Sequence, residues 1–311
     1  MAGKLAFVYA GQGSQKVGMG RDLYEQYPAF RAVLDRAPVD FDLKALCFDG
    51  PEETLSQTQY TQPCMVAFAA GMTAVLTENG IVPDYAAGLS LGEYSALHAA
   101  GAFDAETAID LVAYRGKAMT EAAAGLSCGM QAVLGLAREP LQAACDAASD
   151  LGVCQIANYN CPGQLVIAGE ATAVEKAAAL AKEAGAKRCV PLNVSGPFHT
   201  ALMKPSGDAL AKRFTDLSFA PLRFPVVHNA TGKPMQDGET LADLLETQVQ
   251  SSVYFEDSIR WLAAQSVDTI IEIGPGRTLS GFIRKIDKTI KTYAIEDCAG
   301  LEAVLAALKG A

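Results

Sequence analysis

Residues 83–100 read PDYAAGLSLGEYSALHAA, and the fold follows from how this stretch is parsed. An apolar strand running through Ala86 to Leu89 meets a sharp turn at Ser90, and a helix carrying Glu93 to Ala100 leaves it. Gly88 and Gly92 flank the turn, so GLSLG fits G-x-S-x-G in the strand, turn and helix context that this motif needs. A serine so placed projects from the backbone, while the amide after it and the helix N-terminus face developing negative charge. The same residues also fit a plain strand-to-helix turn with Ser90 as N-cap.

Outward from the turn, strands and helices alternate. Leu5 to Ala10 reads as a buried strand, Gly11-Gln12-Gly13-Ser14-Gln15 as a turn, residues 16–37 as a helix and Thr61 to Glu78 as a long apolar helix. Helix 104–124 begins at Asp104 as N-cap, with Glu106 in its first turn. This order predicts an α/β fold: a hydrolase-like large domain with a parallel sheet core. After Gly125 the pattern changes. Strand 130–136, helix 138–150, strands 154–159 and 164–169, helix 171–184 and strand 187–192 follow the β-α-β-β-α-β order of a ferredoxin-like unit. The large domain is therefore expected at 1–125 and 194–311, with a ferredoxin-like small subdomain inserted at 126–193. Its second part holds strands 224–229, 269–273 and 291–295, and helices near 201–216, 239–248, 256–265 and 299–309.

Half of the 311 residues are hydrophobic and 19% are charged, which excludes a disordered chain. A formal charge of −10 argues against a nucleic-acid partner or a polybasic membrane protein. No apolar run approaches the roughly 18 residues of a membrane span. The first one, Leu5 to Ala10, ends too early for a secretory core, so a cytoplasmic location is expected. The eight cysteines form no C-x-x-C pair and read as buried free thiols. With three histidines, a His-based zinc site is not expected and no metal is assigned.

A serine nucleophile needs a base. His98 sits inside the helix after the turn and reads as a packing residue, and His228 ends an apolar strand beside Asn229. His199 occupies VSGPFHT at 194–200, a strand end and turn where an α/β fold displays reactive groups, and is the candidate. In helix 104–124 the stripe Ala108, Val112, Arg115, Met119, Ala122 follows helical spacing and puts a cation on the face to be buried. A buried guanidinium wants a carboxylate held bidentately, here a carboxylate of the substrate; an Arg snorkelling past the helix edge is the other reading.

These residues resemble the malonyl-CoA:acyl carrier protein transacylase family of type II fatty acid synthesis, related to the acyltransferase domains of polyketide synthases. GQGSQ at 11–15, GLSLGEYSAL at 88–97, RGKAM at 115–119, NYNCPGQLVIAG at 158–169, VSGPFHT at 194–200, PVVHNATGKP at 225–234 and EIGPGRTLSGF at 272–282 follow the family's order and spacing. The resemblance implies Ser90 as acylated nucleophile, His199 as its base, Arg115 on the malonyl carboxylate, and the amides of Gln12 and Leu91 as oxyanion hole. It implies that the carbonyl of Gln248 orients the histidine, that Phe198 disfavours methylmalonyl groups, and that Met119 and Asn160 line the substrate site. Three departures from the family stand out: Leu89 replaces a His, Ala10 replaces a Pro, and the Pro expected near Ser252 is missing.

What the resemblance implies is transfer of malonyl from malonyl-CoA to the thiol of an acyl carrier protein, with no cofactor and a monomer expected. A polyketide-pathway acyltransferase and a serine hydrolase or editing thioesterase are the alternatives, and a silent carrier-docking subunit a further one.

Overall fold

The computed structural model describes residues 3–309. Its strands are β1 (Lys4–Tyr9), β2 (Tyr85–Gly88), β3 (Cys128–Leu134), β4 (Cys154–Cys161), β5 (Gln164–Glu170), β6 (Arg188–Pro191), β7 (Val226–His228), β8 (Lys233–Pro234), β9 (Val267–Ile273) and β10 (Lys291–Ile295). The chain gathers into two compact units. One contains residues up to Gly116, Ser218–Val227 and the chain from Arg260 onward; the other contains Lys117–Leu217 and His228–Ile259.

In the first unit the strands run parallel in the order β10-β9-β1-β2-β7. Phe7, Val8, Ala86, Ala87, Ile270 and Ile271 are all buried, the near-continuous apolar pattern of a sheet covered on both faces. Register pairs Tyr9 with both Gly88 and Ile273, so three strands end level. Their carboxyl ends hand over directly to Ala10–Gln12, Leu89–Ser90 and Gly274. Reactive groups of open parallel sheets sit at this edge.

The helix expected over 16–37 is two, Arg21–Gln26 and Pro28–Asp35. Pro28 disfavours helical backbone at the preceding residue, and Tyr27 is extended at φ −114 and ψ 107. Helix Leu43–Asp49, absent from the sequence reading, starts where the Asp42 side chain accepts from the Ala45 amide at 3.0 Å. Helix Thr278–Ile286 was also missed. Its first amides are held by a distant residue: Glu272, buried at the end of β9, accepts from Leu279 N at 2.9 Å and Ser280 N at 2.7 Å. No helix among the described residues is long and apolar enough to cross a membrane.

The second unit holds an antiparallel sheet ordered β4-β5-β3-β6, the arrangement that the β-α-β-β-α-β reading demands. Helices Arg138–Asp146 and Ala171–Glu183 cover it through Leu141, Cys145, Val174 and Ala177, packed with Val133, Ile156 and Ile167. The sheet lies inside 126–193, but the compact unit reaches further than those bounds. Edge strand β4 recruits a later segment: Asn158 bridges to Val253 in parallel, Tyr159 stacks on Tyr254 at 4.8 Å, and Arg138 holds both carboxylate oxygens of Asp257. A sheet edge with open backbone groups attracts such additions, and no local sequence pattern announces them.

Candidate active site

Ser90 sits in the first unit with φ 52, a left-handed conformation that costs a non-glycine residue on the order of 1–3 kcal/mol. Close backbone packing holds it there. A Cβ on Gly92 would run into the carbonyl of Tyr9, and one on Gly88 would run into the backbone of Gly92. Only glycines let the strand and the helix Gly92–Ala100 approach closely enough to fold the turn between them.

Gly11 meets the same turn from β1, where a Cβ would lie 2.5 Å from the Leu89 carbonyl. This brings Gln12 beside the elbow, and the Gln12 side chain is tied to Thr58 Oγ1 at 3.0 Å. Among the described residues, the amides of Gln12 and Leu91 find no acceptor. Two such donors beside a strained serine are what an oxyanion hole requires.

Arg115, on helix Ala105–Ala123, is 1% exposed. Its Nη1 donates to Gln62 Oε1 at 2.9 Å, its Nη2 donates to Ser90 Oγ at 3.3 Å, and its guanidinium lies 5.2 Å from the centre of the Tyr94 ring. Burial pushes the guanidinium below its ordinary value, opposed by Tyr94 and the charge of Glu93. Burial likewise pushes the Tyr94 phenol up to about 12, against the pull of Arg115. The stripe read from the sequence therefore does place a cation inside, aimed at the serine. Sequence reasoning missed Gln62, although a glutamine 0% exposed within the apolar helix Thr58–Glu78 is a legible anomaly. Met119, one turn on from Arg115, is also buried.

His199 belongs to the second unit and is 4% exposed, again left-handed at φ 62. Its Nδ1 lies 2.9 Å from the Gln248 carbonyl. A carbonyl can only accept, so Nδ1 carries the proton and Nε2 keeps the lone pair that a base needs. Gln248 is itself fully buried near the end of helix Leu241–Gln250. Phe198 is buried beside His199, and Asn160, on β4, is buried with an Oδ1 that meets no hydrogen-bond partner among the described residues.

Of the other histidines, His98 bonds through Nδ1 to the Phe103 carbonyl at 3.1 Å, as a packing residue does, and His228 is fully buried. Two departures from the family pattern acquire reasons. Ala10 donates its amide to Ile273 O at 3.0 Å, which proline has no hydrogen to do, and Ser252 donates its hydroxyl to Ile156 O at 2.6 Å. Leu89 is half-buried, and nothing in the structure explains its replacement of a histidine.

A strained serine at the carboxyl edge of a parallel sheet, with a helix N-terminus behind it, is the setting of serine-dependent acyl chemistry. Comparison with known proteins narrows that class. The chain matches the acyl transferase domain family over residues 6–301 and belongs to it. It is 42% identical over 309 residues to the malonyl CoA-acyl carrier protein transacylase of Bacillus subtilis strain 168, covering 98% of both chains. The crystal structure of MCAT from Streptococcus pneumoniae superposes with a TM-score of 0.93 at 48% identity, over 98% of this chain and 100% of that one. A malonyl-transacylase solved in complex with its type II PKS acyl-carrier protein superposes at 0.94 and 40% identity, over 98% and 99%.

Proposed function

We propose that the protein carries a malonyl group from malonyl-CoA to the phosphopantetheine thiol of an acyl carrier protein, supplying malonyl carrier for fatty acid elongation. The observation that carries this reading is the buried guanidinium of Arg115 at 3.3 Å from Ser90 Oγ. An acyl group on that oxygen would bring a distal carboxylate to Arg115, and a planar fork of donors fits a carboxylate. The names of the relatives support the same substrate pair.

In the proposed cycle, Nε2 of His199 takes the Ser90 hydroxyl proton while Oγ attacks the thioester carbonyl. The amides of Leu91 and Gln12 hold the tetrahedral oxyanion, each contributing about 3–4 kcal/mol. The C–S bond breaks, and the departing coenzyme A thiolate takes the proton from the imidazolium. The carrier thiol then gives its proton to His199 and attacks the malonyl-serine, and Ser90 recovers its proton as it leaves. Gln248 keeps the imidazole in the tautomer that can do this. Phe198 and Met119 bound the acyl group, and the Oδ1 of Asn160 is left for substrate. The reaction needs no cofactor and runs in the cytoplasm on the monomer.

Intact mass spectrometry after brief mixing with malonyl-CoA tests the reading. One malonyl adduct mapped to Ser90, lost in Ser90→Ala, is expected. An adduct that persists in Ser90→Ala would overturn the nucleophile. Rapid loss of the adduct to water, with no transfer to carrier protein, would make the protein a hydrolase.

A further inference from the structure

We infer that Gln155 and Ser252 are positioning residues that set the His199 imidazole against Gln248 from the edge of the antiparallel sheet. The inference rests on the reading of His199 as base. His199 adopts φ 62, so the chain around it must be held on both sides. On the entry side the Thr200 hydroxyl returns to the Pro197 carbonyl at 2.7 Å. On the exit side Ala201 N donates to Oε1 of Gln155, on β4, at 2.7 Å.

The orienting carbonyl is anchored to the same strand. Four residues after Gln248, the Ser252 hydroxyl donates to Ile156 O at 2.6 Å; Val253 N then donates to Ala157 O at 2.8 Å, and Tyr159 N donates to Val253 O at 2.9 Å. The pairing of β4 with β5 slips between Ile156 and Asn158, a bulge that frees this stretch of β4 to receive the segment. Both partners of the 2.9 Å bond from Nδ1 to the Gln248 carbonyl are thus measured off consecutive residues of one strand. Gln155 is exposed, so water replaces its oxygen on Ala201 N when it is removed. What is lost is restraint on the turn, which lowers the rate and leaves stability in place.

The test is single-turnover acylation of the full chain by malonyl-CoA, with His199→Ala as reference. Gln155→Leu and Ser252→Ala should each slow acylation about tenfold, short of the ~10²-fold that a 1 Å misplacement costs. The malonyl-CoA concentration for half-saturation should stay within about twofold, because ground-state binding is untouched. Gln155→Glu and Ser252→Thr, which keep the acceptor and the donor, should restore the rate. If His199→Ala is slow while Gln155→Leu and Ser252→Ala run at the wild-type rate, the positioning role is overturned and the base stands. If His199→Ala is itself undiminished, the base reading falls and this one with it. Slow variants whose half-saturation or melting temperature shifts in proportion, or that the conservative changes fail to rescue, would show a merely structural role and also overturn the inference.

Discussion

Ser90 and His199 share one unusual backbone state, at φ 52 and φ 62, and the two regions impose it by opposite means. At the elbow the constraint is steric and local: Gly88, Gly92 and Gly11 let backbone pack on backbone, and the turn has nowhere else to go. At the histidine turn the constraint is polar and mostly remote: beside the local bond from Thr200 to Pro197, it is supplied by Gln155 and Gln248, which lie tens of residues away in the chain. A steric device is written in adjacent residues. A polar one is written in residues that meet only after folding.

The sharpest way to break this contrast is Gly92→Ala. Its Cβ would meet the Tyr9 carbonyl, backbone that cannot give, so acylation should fall below detection and stability should drop by about 1–3 kcal/mol or more, read by urea denaturation. A variant that stays active and equally stable would mean the elbow is not sterically held.

Next in size is Arg115→Ala, which removes a cation from the elbow without touching its backbone. Losing one partner of a buried charge pair costs roughly 3–5 kcal/mol, on the order of a hundred- to several-thousandfold. Malonyl acylation should fall by that factor relative to acetyl, read from competing thioesters as the mass of the serine adduct. An unchanged preference would place the carboxylate on another residue.

His98 sharpens the comparison, because it too meets a backbone carbonyl yet lies on the elbow's own helix. Burial holds its imidazole below its ordinary value, with the Phe103 carbonyl opposing. The unfolded chain, at about pH 6.5, therefore takes up a proton that the folded chain refuses. Stability should be full above that pH and be lost as pH falls from there towards the folded value, by up to about 1.4 kcal/mol per pH unit. Urea midpoints should show that acid slope, and His98→Gln should flatten it.

The smallest effect is reserved for Ser266, the third left-handed non-glycine residue among those described, at φ 67. It lies between the helix Phe255–Ala264 and the amino end of β9, the strand whose carboxyl end leads to Gly274. Ser266→Gly should stabilise by up to about 1 kcal/mol with acylation unchanged, since this strain serves no chemistry. Lost activity there would blur the distinction between strain that works and strain that merely closes a turn.

Sequence alone determined much of this molecule. The elbow, the Arg115 stripe and the ferredoxin-like strand order are periodic or glycine-punctuated signals confined to short windows, and the structure reproduces them. His199 was reached from its place at a strand end among three histidines and Gln248 through resemblance, and their pairing at 2.9 Å needed the fold. Tertiary structure alone decided the rest. Helix Thr278–Ile286 begins where the carboxylate of Glu272 receives its amides, Arg115 stays buried because Gln62 and Tyr94 receive it, and the second unit outgrows 126–193 because Val253 pairs with β4. The reason is common to all three. Backbone dihedrals and side-chain periodicity are set by near neighbours and can be read locally, whereas a buried polar group must find its partner wherever the folded chain supplies one.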